Sequence, residues 1–580
     1  MNDKKGKFSS TEKLVLIIIA IVIIISGIFF YYNNRSYFDT EFKRGSNITI
    51  DDLDSNEIES LNKLCRVWGF AKYYHPKIVS GSKNWDFELF RVIPMVIDAK
   101  NQDEVNNLLY DWINKLGEFK ENTSSENAEV MVEADTNWIS DEEYLSKDLC
   151  NLLVKMSKSY ISDRDKAYVN YKNNSIYSNF DNEQEYPSID YKDDGYKLLS
   201  LFRYWNIIEY YYPYRTVIDE DWNAVLNEFI PKIIKSDDDL SYKLALSELT
   251  SRIHDSHASI NDIAGTLNNY WGTKIAPIKF LLVENKIVVT DIINKYENDC
   301  NLKVGDVILE INNKNIFEII KEKSKYISFS RDEAIVNSLK YYLFRTSDDS
   351  LALKIERDGK ELIEEVRCYN TKEVNINEVN GESHELLSDN IGYINPGALA
   401  KGEINKIMDK FKDTDGIIVD LRYYPSDMIT YKMPNYLLPE ETVFSRVTIA
   451  NKSIPGEFIF SEDIAVGKNN KDYYKGKIVI IINECTQSNA EFTAMALRKS
   501  PNAVVVGENS IGADGNVAAL TLPGGITTTI TGIGIYTPEG LETQRIGIKP
   551  DIYVKPTIEG IRDGKDELLE KAIEILKVKN

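Results

Sequence analysis

Ser488 stands in Thr486-Gln487-Ser488-Asn489-Ala490-Glu491, between an apolar run at 477–482 that reads as a strand and a run at 492–498 that reads as a helix. A serine at the tip of such a turn holds its hydroxyl clear of the backbone, and the N–H groups of the helix's first turn point at whatever that hydroxyl attacks. The same pattern also describes an N-cap serine that only starts a helix. Chemistry is favoured by a second element far upstream, Ser256-His257, in a chain with four histidines. An imidazole beside a serine hydroxyl takes its proton and later returns it to a leaving amine. His257 is the candidate base; His254, on the same face if the helix continues, is its competitor. A metal site on His254 and His257 lacks a third ligand of HExxH type, and no GxxxxGK[ST] loop occurs, so neither metal nor cofactor is expected. Cys485, at the end of the strand, reads as a small buried hydrophobe rather than a nucleophile.

These residues need several elements to bring them together. A chain of 580 residues implies three or four compact units, and 43% hydrophobic residues are enough to build their cores. A net charge of −22 with no basic stripe excludes nucleic acid and anionic membrane surfaces as partners. Five cysteines at irregular spacing, with no CxxC pair, argue against a disulfide framework or zinc site. Residues 14–32 carry no charge and follow Lys4, Lys5, Lys7 and Lys13. That predicts a single transmembrane helix in the cell membrane, with the N-terminus cytoplasmic and the rest outside. The rival is a cleaved signal and a secreted protein, but the small pair Ser26-Gly27 is followed by the bulky Ile28-Phe29-Phe30-Tyr31-Tyr32.

Beyond the tail and anchor at 1–36, a helical unit occurs twice, at 50–121 and 194–274. Trp68, Pro76, Trp85 and Pro94 recur as Trp205, Pro213, Trp222 and Pro231 at one constant offset, so the register never shifts. Their aromatics read as packing residues. Residues 122–193, polar and rich in Asn, Ser, Asp and Tyr, read as a long, partly irregular connection. Only the second copy continues into Asp255-Ser256-His257. Residues 275–370 alternate short β-like runs around Val304-Gly305-Asp306-Val307, and residues 385–580 alternate near-continuous apolar strands (391–394, 416–422, 478–482, 503–507) with helical stretches at 400–411 and 490–499. In such sheets ligands bind at the strands' carboxyl ends, where Asp420-Leu421-Arg422 and Ser488 fall.

The segment 302–312 resembles the centre of a PDZ domain, a fold that adds a peptide as an edge strand; a small β-domain that captures no peptide is the alternative. Ser-His, this β-unit, the Asp-Leu-Arg strand end, Ser488-x-x-Glu491, Gly507-Glu508-x-x-x-Gly512 and Gly547-Ile548-Lys549-Pro550-Asp551 follow in the order of the tail-specific (C-terminal processing) serine peptidases. The chain resembles that family, closest to its tricorn-core branch. The resemblance implies an α/β catalytic core of ClpP/crotonase type, a mixed sheet with helices, and a polypeptide substrate cleaved in extended or unfolded segments. Where the processing branch carries a lysine this chain has Ala513; Ser256-His257 matches the tricorn type instead. The resemblance further implies an oxyanion hole from the N–H of Asn489 and of Tyr423 or Tyr424, ahead of Pro425, which has none. It implies an orienting group at Gln544, with Glu542 nearby as its charged substitute, and substrate contacts at Asp514 and Asn516. Glu491 reads as structural. The competing class is a catalytically weak or inactive protein binding a peptide or hydrophobic ligand on the same fold.

Overall fold

The duplicated pattern folds as two helix pairs, α1 (Ser55–Tyr74) with α2 (Trp85–Ile97), and α3 (Asp194–Tyr211) with α4 (Trp222–Ile234). Both long helices stop where the residue before a proline is forced out of the helical region, at His75 (ψ 123°) and Tyr212 (ψ 114°). Each copy is stapled by a reciprocal tryptophan pair. Trp68 and Trp85 donate their indole N–H groups to each other's carbonyls (3.1 and 2.9 Å), and Trp205 and Trp222 do the same (2.7 and 3.1 Å). This explains why those four residues recur. The structure is a computed structural model describing residues 39–121, 128–159, 161, 163–172 and 175–578. The apolar segment 14–32 lies outside them; among the described residues no helix is long and apolar enough to cross a membrane.

The long helices α1 and α3 cross at equivalent positions. Tyr73 meets Tyr210 edge to face at 5.3 Å, and Gly69 faces Asn206, whose Nδ2 donates to the carbonyls of Cys65 (3.1 Å) and Phe202 (2.8 Å). A Cβ on residue 69 would lie 1.7 Å from Asn206 Oδ1. Gly69→Ala is therefore expected to lower stability by about 1–3 kcal/mol, the range for overpacking, and Asn206→Ala in the same chain to recover part of it; denaturant midpoints of the three variants check this.

The connection is more ordered than its composition predicts. Helix Lys147–Ser157 buries Leu149, Leu153 and Met156, and strand Val130–Val132 pairs with Phe458–Phe460 of the C-terminal unit. Periodic apolar residues within a polar stretch account for the difference. Its Glu183 joins Lys72 of the first copy and Asp86 and Arg203 in a charge cluster with no solvent exposure: Lys72–Glu183 2.7 Å, Arg203–Asp86 2.9 Å and Arg203–Glu183 3.0 Å. Two cations and two carboxylates balance.

After α5 (Asp239–Ser251) the chain turns through the Ser-His stretch into β1 (Ile260–Asp262). The small β-unit follows: β2 (Ile278–Val283), β3 (Lys286–Ile292), β4 (Val307–Ile311), β5 (Ser350–Arg357) and β6 (Lys360–Arg367) form an antiparallel sheet in the order β6-β5-β4-β3-β2. Phe280, Ile287, Val289, Ile308, Leu353 and Ile355 share one buried core on it.

The C-terminal sheet runs β7 (His384–Leu387), β8 (Ile391–Ile394), β9 (Gly416–Asp420), β10 (Lys477–Ile482), β11 (Ala503–Gly507) and Ile552–Tyr553; only β7 is antiparallel to its neighbour. Its strands alternate between two cores. Ile417, Val419, Ile478 and Ile480 face α6 (Ile404–Phe411) and α7 (Asn489–Leu497), while Ile418, Val479 and Ile481 face Leu568 and Ala572 of α8 (Glu567–Lys577). The expected helix at 400–411 starts only at Ile404, because Gly402 (φ 77°) closes a turn. Beyond this sheet β12 (Val517–Leu522) and β13 (Ile526–Thr531) form a hairpin, with β1 added along β13. The helical unit holds the hairpin: Arg203 Nη1 donates to the Thr521 carbonyl (2.8 Å) and Tyr242 Oη to that of Pro523 (2.9 Å).

Candidate active site

Ser488 has φ 54° and ψ −122°, a left-handed conformation unfavourable for a residue with a Cβ. Its surroundings impose it. Thr486, just ahead, is pinned to the end of β9 through its hydroxyl and the Leu421 carbonyl (2.9 Å). The Ser488 N–H donates to the Ala513 carbonyl (2.9 Å) and to Glu491 Oε2 (3.0 Å). Glu491 is fully buried and also accepts from the Ser510 hydroxyl and from the N–H groups of Gly512 (2.9 Å) and Ala513 (3.0 Å). One carboxylate thus ties the serine turn to the 510–513 loop, a larger role than the capping that sequence assigns it.

His254 does not share a helix face with His257. The helix ends at Ser251, His254 takes φ 50°, and its ring turns to Glu220 (3.5 Å) and Phe329. The His257 ring goes the other way, with Nδ1 2.9 Å from the Thr531 hydroxyl oxygen at the end of β13. That hydroxyl has one proton and gives it to Asp255 Oδ2 (2.7 Å), a buried carboxylate that also accepts from the N–H groups of Thr531 (3.1 Å) and His257 (2.9 Å). Since a carboxylate only accepts, Thr531 Oγ1 must accept from His257, so the ring proton sits on Nδ1. Among the described residues the lone pair of Nε2 is left free, buried, and without a hydrogen bond, including from the Ser488 hydroxyl. Burial holds the imidazole's pKa below its usual value, against the raising effect of Asp255, and so keeps it in the neutral form that can act as a base.

The 512–516 turn links the two halves. Its Ala513 carbonyl holds the Ser488 N–H, and at its other end a Cβ on Gly515 (φ 112°) would come within 2.9 Å of Thr531 Cγ2. A further contact joins the residues beside the pair: Gln487 Nε2 donates to the Ser256 carbonyl (3.4 Å). Ser256 itself is spent on the small β-unit, exchanging bonds with Ser330 (both 2.9 Å).

Around the turn several polar atoms are buried without partners among the described residues: Asp514 Oδ2, both amide atoms of Asn516 and both of Gln544. Such atoms cost about 1–3 kcal/mol each and concentrate at functional sites. Burial, and then the charge of Glu491, push the Asp514 carboxyl well above the usual range. Contrary to the expectation from sequence, Gln544 does not orient His257: its amide makes no hydrogen bond among the described residues, and Thr531 bonds the ring. Nor does Glu542, which lies beside Tyr536. The N–H groups of Asn489, Tyr423 and Tyr424 make no hydrogen bond among the described residues. Arg422 forms a structural clamp, bonding Asp420 and Asp566 at the start of α8. Burial, and then the Glu484 charge, push the Cys485 thiol up to about 12, leaving it unreactive. Asp255 and Thr531 are the residues that sequence reasoning missed. The signal was present in the alternation of Thr527, Thr529 and Thr531 along one face of a strand, and in a carboxylate two residues before the histidine.

Residues 390–554, which include Ser488 and the 512–516 turn, match the model for peptidase family S41. This segment is an S41 peptidase domain. The chain is 28% identical over 186 residues to a carboxyl-terminal-processing protease of Picosynechococcus sp. (strain ATCC 27264 / PCC 7002 / PR-6), a match covering 31% of this chain and 42% of that protein. The chain thus spans less than half the length of that relative. In fold it is similar to mature CPAF complexed with lactacystin (TM-score 0.52, 14% identity, 66% of this chain and 98% of that one) and to mature CPAF (TM-score 0.50, 14% identity, 66% and 97%). The shared fold therefore extends beyond the S41 domain.

Proposed function

We propose that the chain is a serine peptidase in which Ser488 attacks the scissile carbonyl and His257 is the general base. The observation that carries this reading is the proton placement at His257: Asp255 fixes the Thr531 hydroxyl, Thr531 fixes the ring proton on Nδ1, and Nε2 is left as the acceptor. As Ser488 Oγ bonds to the carbonyl carbon, its proton passes to Nε2 and the imidazolium is stabilised by Asp255 through Thr531. The oxyanion takes the N–H of Asn489, at the positive end of α7, and that of Tyr423 or Tyr424. His257 then protonates the leaving amine, and water releases the acyl group by the reverse path. Asp514 and Asn516 contact substrate. The free Nε2 must come to hydrogen-bond distance of Ser488 when substrate binds, as catalytic bonds often tighten only in the complex.

The proposal extends to the rest of the chain: a tricorn-type member of the tail-specific peptidases, a PDZ-like unit at 275–370, an anchor at 14–32 and a catalytic part outside the cytoplasm acting on extended polypeptide. A second reading, a ligand-binding protein of low or no activity, rests on the free Nε2 and on the neutral Gln544 at the position where the family resemblance places a glutamate. A fluorophosphonate probe decides between them. Labelling of the wild type that disappears in Ser488→Ala supports the peptidase; no labelling where a control serine peptidase reacts supports the binding protein.

A further inference from the structure

A cavity of about 400 Å³ opens beside the proposed catalytic pair, between the stretch from α5 to β1 and residues 326–345 of the small β-unit. Ser256 and Gln487, the chain neighbours of His257 and Ser488, form part of its wall. Elsewhere in the wall stand Lys340 and Arg345. Neither has an ion-pair partner among the described residues. The Lys340 ammonium lies 5.1 Å from the centre of the Tyr341 ring and makes no hydrogen bond among the described residues. Arg345 spends Nε on the Gly272 carbonyl (2.7 Å) and Nη2 on Asn268, leaving Nη1 without a protein partner. The wall has one carboxylate, Asp262, already engaged by the buried Lys243 (3.2 Å) and by the N–H groups of Thr266 (3.0 Å) and Leu267 (2.8 Å). In a chain of net charge −22, two cations uncompensated in one partly enclosed space favour an anion.

We propose that this cavity is a subsite for an acidic side chain of the polypeptide, an Asp or Glu near the bond presented to Ser488, its carboxylate on Lys340 and on Nη1 of Arg345. Trp271 and Tyr326, edge to face at 6.1 Å, line the same cavity and give its stem an apolar surface. The inference rests on the peptidase reading and names the substrate class that reading leaves open.

The test uses the full chain carrying Ser488→Ala and fluorescent peptides with amidated C-termini that differ at one internal residue: Glu, Gln or Lys. A fourth peptide has a free C-terminal carboxylate and no acidic side chain. The Glu peptide is expected to bind about tenfold more tightly than the Gln peptide, the worth of one charge-assisted bond. Lys340→Glu is expected to reverse the order, with the Lys peptide gaining about tenfold; a gain of affinity cannot come from misfolding. Lys340→Gln, a milder change, should abolish only the Glu advantage. Equal affinity for Glu and Gln peptides, an unchanged order in Lys340→Glu, or a preference for the free C-terminus alone would overturn the proposal. Loss of the peptidase reading registers separately, as absent fluorophosphonate labelling of the wild-type chain with the Glu preference intact.

Discussion

Asp255→Asn is expected to lower kcat by about 10³–10⁴-fold with KM changed only a few-fold, the order of loss when the carboxylate behind a catalytic histidine is neutralised. The geometry explains why so small a change does so much. Asp255 accepts three donors, two of them from Thr531 and one from the His257 N–H. An amide replaces one accepting oxygen with a donating NH2. Placed toward Thr531, that NH2 donates to the hydroxyl, which must then give its own proton to His257 Nδ1; the ring proton moves to Nε2, and the base is lost. Placed toward His257, it confronts the backbone N–H. Thr531→Val should act in the same direction with a smaller loss, about 10²-fold, because Asp255 keeps its charge near the ring. The pH profile separates this role from a structural one. Activity needs neutral His257, whose pKa is depressed, so it should be present above that pKa, with the acid limb below the ordinary imidazole value of 6.5. Asp255 raises the His257 pKa, so Asp255→Asn should move the limb lower still. Steady-state kinetics across roughly pH 4 to 9 measure both effects. A variant within tenfold of wild-type kcat, or a limb that moves upward, would exclude the relay.

What was legible in the sequence was whatever a short stretch of chain decides by itself. The paired tryptophans and prolines gave the helical repeat because one local motif recurs without a register shift, and the runs at 477–482 and 503–507 gave buried parallel strands because both their faces are apolar. Ser488 stood out by its strand-to-helix turn and His257 by its place in a Ser-His pair. The partner of His257 did not, since the Asp255–Thr531–His257 contact exists only when the β12–β13 hairpin folds back across more than 270 positions of chain. Gln544 was expected to orient the ring by its place in a motif, yet its side chain bonds nothing and Thr531 takes that role. His254 would have shared a face with His257 only on a continuing helix, and the helix stops at Ser251. The charge cluster was invisible for the same reason as the relay: Lys72, Asp86, Glu183 and Arg203 come from separate elements.

That cluster carries the largest expected effect on stability. Arg203→Met should destabilise the helical unit by about 3–5 kcal/mol, the range for removing one partner from a buried ion pair. Methionine fills much of the volume but leaves Asp86 and Glu183 with Lys72 as their one cation, all at zero side-chain exposure. Charge imbalance rather than lost packing is the expected cause, and a second substitution distinguishes the two. Glu183→Gln in the same chain restores one cation to one carboxylate, so the double variant should be more stable than Arg203→Met alone; if packing dominated, the two losses would add. Denaturant midpoints for wild type, both single variants and the double variant complete the cycle. The damage should also reach the active site. Arg203 Nη1 holds the Thr521 carbonyl of the strand paired with β13, and β13 ends at Thr531, so the Met variant should lose fluorophosphonate reactivity at Ser488 at denaturant concentrations where the six-stranded C-terminal sheet is still folded. Retained reactivity until global unfolding would mean that the hairpin keeps His257 in place without the cluster.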